Sequence, residues 1–490
     1  MNGKLNLAAL DLGAESGRVI LGRLEKDRFT LEETCRFPNE PVWMGRHLYW
    51  DLPRLVLEMK KGIKQAYQKA GHLDGVAIDT WGVDYGLLDG NGELMANPIH
   101  YRDHRTDYIA TSVFAKVPAE EIFRRTGIQM MTINTIFQLA ALHHDDPEML
   151  DRTEDMLFIP GLLGYFLTGK KINDVTIAST AQLFDPSAWE WAWELADKLS
   201  LPRRIFKHVA DPGTIVGGFA PEVAKELGFN SEVMTIGGHD TASAVAAVPA
   251  EEEHFIYISC GTWSLVGTEL AGPLINSEAM RLNFSNEIGI ERKIRFLKNV
   301  MGLWLLQQCR KDWSAQGREY DYGELTRMAA GEKPWRTIIN PDDQSFLHPE
   351  SMCEAIAAFA RKTEQPVPET EGSFVRCIIE SLALKYGWVI DYIEKLTGFP
   401  YHHIHMVGGG IKNEMLCQLT ADITGRAVVA GPVEATAIGN ILTQALALQA
   451  VKSLPELRRM VKKTFPPAVY QPAKQRDLDW IQNRFQTLLD

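Results

Sequence analysis

Two glycine-bearing turns, one in each half of the chain, carry residue types that hold phosphate. The first is Asp11-Leu12-Gly13-Ala14-Glu15-Ser16-Gly17-Arg18 and the second is Cys260-Gly261-Thr262-Trp263-Ser264. Each is flanked by apolar runs, so each reads as a β-hairpin. A glycine-rich turn bares backbone N–H groups that can cradle phosphate oxygens. Two such turns at equivalent places suggest a duplicated fold closing on a nucleotide from both sides. Asp11 is of the type that holds a hydrated magnesium ion beside those phosphates.

Other segments supply an acceptor and its base. Ile236-Gly237-Gly238-His239-Asp240-Thr241-Ala242-Ser243 places an aspartate at the start of a small-residue helix. Aspartate there can serve as a cap. Phosphoryl transfer to an alcohol needs one positioned base and little other covalent chemistry, and Asp240 is read here as that base. Asp79-Thr80-Trp81-Gly82-Val83-Asp84-Tyr85 combines carboxylates, a hydroxyl, an indole and a glycine at a strand end. That set suits a polyol, with Trp81 as an apolar wall. Gly408-Gly409-Gly410, ahead of Lys412-Asn413, follows a strand and opens a helix, where a flat adenine or ribose could approach the backbone.

Three segments imitate sites. Gly164 to Lys171 is one residue from a P-loop, but Lys171 stands where a magnesium-holding hydroxyl belongs. Its interior reads as an apolar helix capped by Gly169. His402, His403 and His405 have no cysteine or fourth ligand nearby, which argues against zinc. Arg458-Arg459 and Lys462-Lys463 read as a solvated helix face.

The elements that must position these residues alternate. Residues 5–10 and 18–24 form the first hairpin. Residues 55–70 follow as a helix, with Leu55, Met59, Ile63 and Tyr67 on one stripe and Gly71 as its end. Residues 75–79 are a buried strand ending in Asp79. The second half offers helices over 374–396, 413–425 and 435–448, with strands at 404–407 and 427–430. Strand, helix, strand is the grammar of an α/β fold. At 490 residues the chain is long enough for two large domains. The join is expected near Pro249 and Glu251 to Glu253, giving domains over 1–247 and 248–490.

Composition narrows the class. Hydrophobic content of 45% and charged content of 23% are those of a globular enzyme. A net charge of −12 argues against a nucleic-acid or anionic-membrane partner. An anionic substrate then needs help from backbone dipoles, a cation or a metal. Six cysteines without a CxxC pair read as reduced thiols, and with no signal peptide or membrane span expected the location is cytoplasmic. A monomer or a small homo-oligomer is expected.

Together these segments resemble the FGGY family of carbohydrate kinases over nearly the whole chain. The resemblance rests on both hairpins, on Asp79 to Asp84, on Tyr101-Arg102-Asp103, on His239 to Ser243, on Lys298 to Gln307 and on Val407 to Gly410. It implies two RNase H-like α/β domains of the actin and hexokinase type, with the active site in an interdomain cleft. It also implies MgATP-dependent phosphorylation of a ketose, here L-rhamnulose at O1. By carry-over, Ala14, Glu15, Ser16, Gly17, Arg18, Thr262, Gln307 and Gly409 would line ATP. Gly82, His239, Asp240, Thr241 and Asn299 would line the sugar, beside Trp81. Glu15 departs from the pattern, standing where the family's hairpin usually has serine. Alternatives remain open: another ketose (L-fuculose, xylulose or a linear signalling ketose), or a non-catalytic actin-like or Hsp70-like ATPase module.

Overall fold

The computed structural model describes residues 4–26, 28–473 and 478–489. The chain forms two compact units. One comprises residues 1–247, 270–296 and 435–464, and the other residues 248–269, 297–434 and 465–490.

The first unit is built on a six-stranded sheet. Its spatial order is Ile215–Gly218, Glu232–Met234, Gly75–Thr80, Leu5–Leu12, Ser16–Glu25 and Arg28–Pro38. The expected hairpin is present, with Asp11 paired to Arg18 and Leu12 to Gly17. Leu5–Leu12 also pairs in parallel with Gly75–Thr80, so Asp11 and Asp79 are cross-strand neighbours. Alternate residues of a strand face opposite sides, and helices cover both faces of this sheet. A Cβ on Gly62 of helix Leu52–Ala70 would meet Val19, while a Cβ on Gly22 would meet Ile441 of helix Ala435–Ala447. The first helix begins behind an Asp51 cap and ends at Gly71, whose φ of 80° suits glycine.

Helix Ala435–Ala447 belongs with this sheet although it lies late in the chain. Asn440 Nδ2 donates to Asp79 Oδ2 at 2.6 Å, and Gln444 Nε2 donates to the Ala8 carbonyl at 3.1 Å. Its small residues have a packing reason. Gly439 lies so close to helix Asp240–Ala246 that a Cβ would stand 1.8 Å from the Ser243 carbonyl oxygen.

The second unit repeats the opening motif. Ile256–Cys260 pairs antiparallel with Trp263–Leu270 and in parallel with His403–Val407, which in turn pairs with Ala427–Ala430. Helix Glu371–Thr397 runs from a Thr370–Ser373 capping box to Gly398. Among the described residues, no helix is long and apolar enough to cross a membrane. All six cysteines are free thiols.

Candidate active-site residues in the two units

In the first unit the parallel strands deliver acidic residues to their C-terminal ends, where ligands of α/β sheets commonly bind. Asp11 Oδ2 accepts from Arg18 Nη2 at 2.6 Å, an ion pair across the hairpin. Asp79 has no exposure, and its Oδ1 finds no partner. Burial pushes its carboxyl well above the usual range, and the Asp11 charge raises it further. Thr80 N donates to the Gly238 carbonyl at 2.8 Å, which ties the Asp240 loop to the same strand end.

That loop is tightly specified. Asp174 Oδ1 accepts from Thr176 N at 2.9 Å and from Gly238 N at 3.3 Å. Thr176 Oγ1 accepts from His239 N at 3.2 Å. A Cβ on Gly238 would fall 2.0 Å from Asp174 Oδ2, so glycine is required for close approach. Helix Asp240–Ala246 starts at Asp240 itself, with His239 in the cap position and no side-chain cap bond. The Asp240 carboxylate is therefore not spent on capping. Thr241 Oγ1 donates to Asp240 Oδ1 at 3.0 Å, and His239 Nε2 stands 3.5 Å from the same oxygen. These contacts fall on Oδ1, and 32% of the side chain remains open to solvent. The surrounding protein still raises the Asp240 carboxyl above the ordinary aspartate range. Burial is the main cause; the Asp11 charge adds to it and His239 opposes it.

Gly82 adjoins this loop, since a Cβ there would lie 3.4 Å from His239 Nε2. The next residue, Val83, has a φ of 66°, which a β-branched residue rarely adopts. Its N–H donates to Thr180 Oγ1 and its carbonyl accepts from Thr135 Oγ1 at 2.6 Å, bonds that hold the conformation. Trp81 is 5% exposed. Its ring lies 3.9 Å from that of Trp50, and its Nε1 donates to Asp84 Oδ2 at 3.0 Å.

Asp84 is the hub of that cluster. It also accepts from Trp50 Nε1 at 2.7 Å, Tyr101 N at 3.1 Å and Gln138 Nε2 at 2.9 Å. Burial pushes its carboxyl up to about 6, against the pull of Trp50, Gln138 and Trp81. Asp84→Ala would orphan three buried donors, Trp50 Nε1, Trp81 Nε1 and Tyr101 N, each costing about 1–3 kcal/mol when unsatisfied, while Gln138 keeps the Ile133 carbonyl. The expected loss of at least ~3 kcal/mol would be read from denaturant unfolding of the first unit. A loss below ~1 kcal/mol would contradict the hub.

The second unit assembles the other turn. Gly261 N donates to the Trp263 carbonyl at 2.9 Å, and Gln307 Nε2 donates to Thr262 Oγ1 at 3.3 Å. Thr262 and Gln307, both expected at the nucleotide, are thus in contact. Gly302 and Trp304 both donate to the Thr262 carbonyl, at 3.2 and 3.1 Å. The triple glycine divides in role. A Cβ on Gly408 would meet the Cys260 carbonyl at 2.9 Å and one on Gly410 would meet Cys260 Sγ at 2.2 Å, whereas around Gly409 space is open. Two of the three glycines therefore serve close packing on the hairpin strand. Asn299 is half-buried on strand Ile294–Met301, within the stretch that belongs to this unit.

The imitation sites resolve simply. Residues 164–168 are the end of helix Ile159–Thr168, closed by Gly169 at a φ of 71°. His403 and His405 both approach Glu252, at 3.3 and 3.4 Å, and no metal-binding group of three or more such residues occurs among the described residues. Arg458 corrects the expectation of a solvated face: it is 8% exposed and donates to the Val245 carbonyl at 3.3 Å. Its neighbours Arg459, Lys462 and Lys463 are exposed. Sequence reasoning gave no role to Asp174, Thr176, Glu287, Arg295 and Asn440, whose contacts with the Asp240 loop and with Asp79 arise from tertiary structure.

The comparisons with known proteins cover both units. The N-terminal domain model of the FGGY family of carbohydrate kinases matches residues 7–247 and its C-terminal domain model matches residues 256–448. A rhamnulokinase of Bacteroides thetaiotaomicron is 42% identical over 470 residues, covering 96% of each chain. A rhamnulokinase of Bacillus subtilis is 38% identical over 485 residues, covering 98% of each. Among solved structures, the fold matches a ligand-bound xylulose kinase of Lactobacillus acidophilus at a TM-score of 0.78. Identity there is 17%, over 99% of this chain and 96% of that one. It also matches a Plasmodium falciparum glycerol kinase with ADP at a TM-score of 0.76 and 15% identity, over 99% and 96%.

Proposed function

The chain belongs to the FGGY family of carbohydrate kinases, and from that premise we propose that it transfers the γ-phosphoryl group of ATP to O1 of L-rhamnulose. The observation that carries the chemistry is Asp240. Its Oδ1 is engaged by Thr241 and faced by His239, which leaves Oδ2 for an incoming hydroxyl. A sugar hydroxyl keeps its proton at neutral pH. Asp240 orients it and takes that proton as the new O–P bond forms and ADP departs. The raised carboxyl makes Asp240 a stronger base than an exposed aspartate. Substrate choice rests on the full-length likeness to rhamnulokinases.

The remaining roles follow. We assign Gly82, Trp81, His239, Thr241 and Asn299 to the sugar. Trp81 would contribute ring surface only, since its N–H is committed to Asp84. Ala14, Glu15, Ser16, Gly17, Arg18, Thr262, Gln307 and Gly409 are assigned to ATP. Glu15 is exposed at the turn tip. Gly17 also has a packing reason, because a Cβ there would meet Phe37 at 2.4 Å. Magnesium fits the acidic strand ends, where Asp11 raises the carboxyls of both Asp79 and Asp240. Asp11 would hold the hydrated ion, which supplies charge neutralisation for the phosphates. A cytoplasmic monomer or small homo-oligomer is part of the same reading.

Two experiments test it. ADP release with MgATP should be fastest on L-rhamnulose in a panel that includes L-fuculose and xylulose. Faster turnover on another ketose would reassign the substrate, and ATP hydrolysis indifferent to any ketose would remove the kinase reading. Thr262→Val removes the acceptor of Gln307 and a hydroxyl assigned to phosphate. It should raise KM for ATP about tenfold, worth about 1.4 kcal/mol, with KM for sugar unchanged. The reverse pattern would place the second hairpin on the sugar instead.

A further inference from the structure

His239 is set from behind by a buried ion pair that no site assignment includes. Arg295 has no side-chain exposure and Glu287 only 5%. Arg295 Nη2 lies 3.1 Å from Glu287 Oε2, and its Nε and Nη2 donate to the Ile288 carbonyl at 3.3 and 3.2 Å. The same Nη2 is hydrogen-bonded to His239 Nδ1 at 3.2 Å. A guanidinium can only donate, so this contact calls for an accepting Nδ1, with the ring proton on Nε2. That nitrogen faces Asp240 Oδ1 at 3.5 Å. Glu287 Oε2 lies 3.2 Å from Nδ1 and 3.1 Å from Arg295 Nη2, so an Nδ1–H donating to this carboxylate is the competing arrangement, and pairing of Glu287 with the guanidinium is what disfavours it.

We propose that Glu287 and Arg295 are positioning residues that hold His239 as the Nε2–H tautomer, so that it donates to Asp240 Oδ1 and leaves Oδ2 to the sugar hydroxyl. The proposal rests on the kinase reading above. The partner of a ring nitrogen commonly fixes the tautomer presented on the other side. Both residues arrive on the 270–296 stretch, which packs with the first unit. The other groups acting on this carboxylate set are Asp11, Asp79 and Arg18.

The first measurement uses the unaltered full-length protein labelled with ¹⁵N-histidine, without substrate. A long-range ¹H–¹⁵N correlation at neutral pH, with His239 identified by the signal lost in His239→Asn, should show the Nε2–H tautomer. An Nδ1–H tautomer would overturn the proposal, whatever the ketose panel gives. The second measurement is kinetic. Arg295→Met should lower kcat about tenfold, as loss of a ligand-orienting partner does, with KM for ATP unchanged. The acidic limb of its pH profile should move to higher pH, because a carboxylate that loses a donor binds its proton more tightly. Arg295→Lys keeps a charge and a donor and should recover most of the rate. A folded Arg295→Met enzyme with an unmoved limb and full kcat would also overturn the proposal. If that variant fails to fold, the tautomer of the unaltered protein decides alone.

Discussion

Asp240→Asn is expected to lower kcat by about 10²–10⁴-fold, the range for loss of a general base. Asparagine keeps the size and can still accept from Thr241, so the loop should hold its shape. It cannot take the hydroxyl proton. ATP affinity, measured by calorimetry, and the melting temperature should change little. A variant that melts early while its folded fraction retains full activity would make Asp240 a structural residue. The unaltered enzyme offers a companion test. Asp240 must be ionised to act, so activity rises with pH through its carboxyl pKa. Because burial raises that pKa, the acidic limb of kcat should lie above the ordinary aspartate value of about 4. A limb at or below that value would show that the limiting base is a different group.

Gly439→Ala should be severe for a different reason. The added methyl would stand 1.8 Å from the Ser243 carbonyl oxygen and 2.5 Å from its carbon, both backbone atoms that cannot swing aside. Overpacking of this kind costs about 1–3 kcal/mol, occasionally more, and outweighs the ~1 kcal/mol that alanine gains over glycine in a helix. Helix Asp240–Ala246 carries both Ser243 and Asp240, the proposed base, so the strain should reach the chemistry. We expect a melting temperature lower by several degrees, together with a fall in kcat. Gly164→Ala is the control, since nothing lies within 4 Å of its added methyl in helix Ile159–Thr168. Equal effects from the two substitutions would mean that helix packing at Gly439 is unimportant.

The two hairpins, the Gly71 and Gly169 helix ends and the strands at 75–80, 403–407 and 427–430 were legible in the sequence because they are local. Turn glycines, apolar periodicity and capping act within a few residues, and the structure places these elements within one to three residues of expectation. The first hairpin gained two residues at the turn end of each strand because Asp11 and Arg18, though charged, pair across it. Asp240 was also legible, as an aspartate behind two glycines, yet its freedom from capping was visible only once the helix was seen to begin at that residue. Tertiary structure decided the rest. Asn440 and Gln444 lie hundreds of residues from Asp79 and Ala8, and no local pattern couples them. Arg458 sits among charged neighbours in sequence but is buried, because its stem and guanidinium reach the end of the Asp240 helix at Val245. Glu287 and Arg295 carry no local signal of a role; the fold alone sets them behind His239. Residue type and spacing specify which groups could do chemistry. Long-range packing in a dry interior decides which oxygen, which tautomer and which charge face the substrate, since unpaired polar groups there cost too much to leave in any other arrangement.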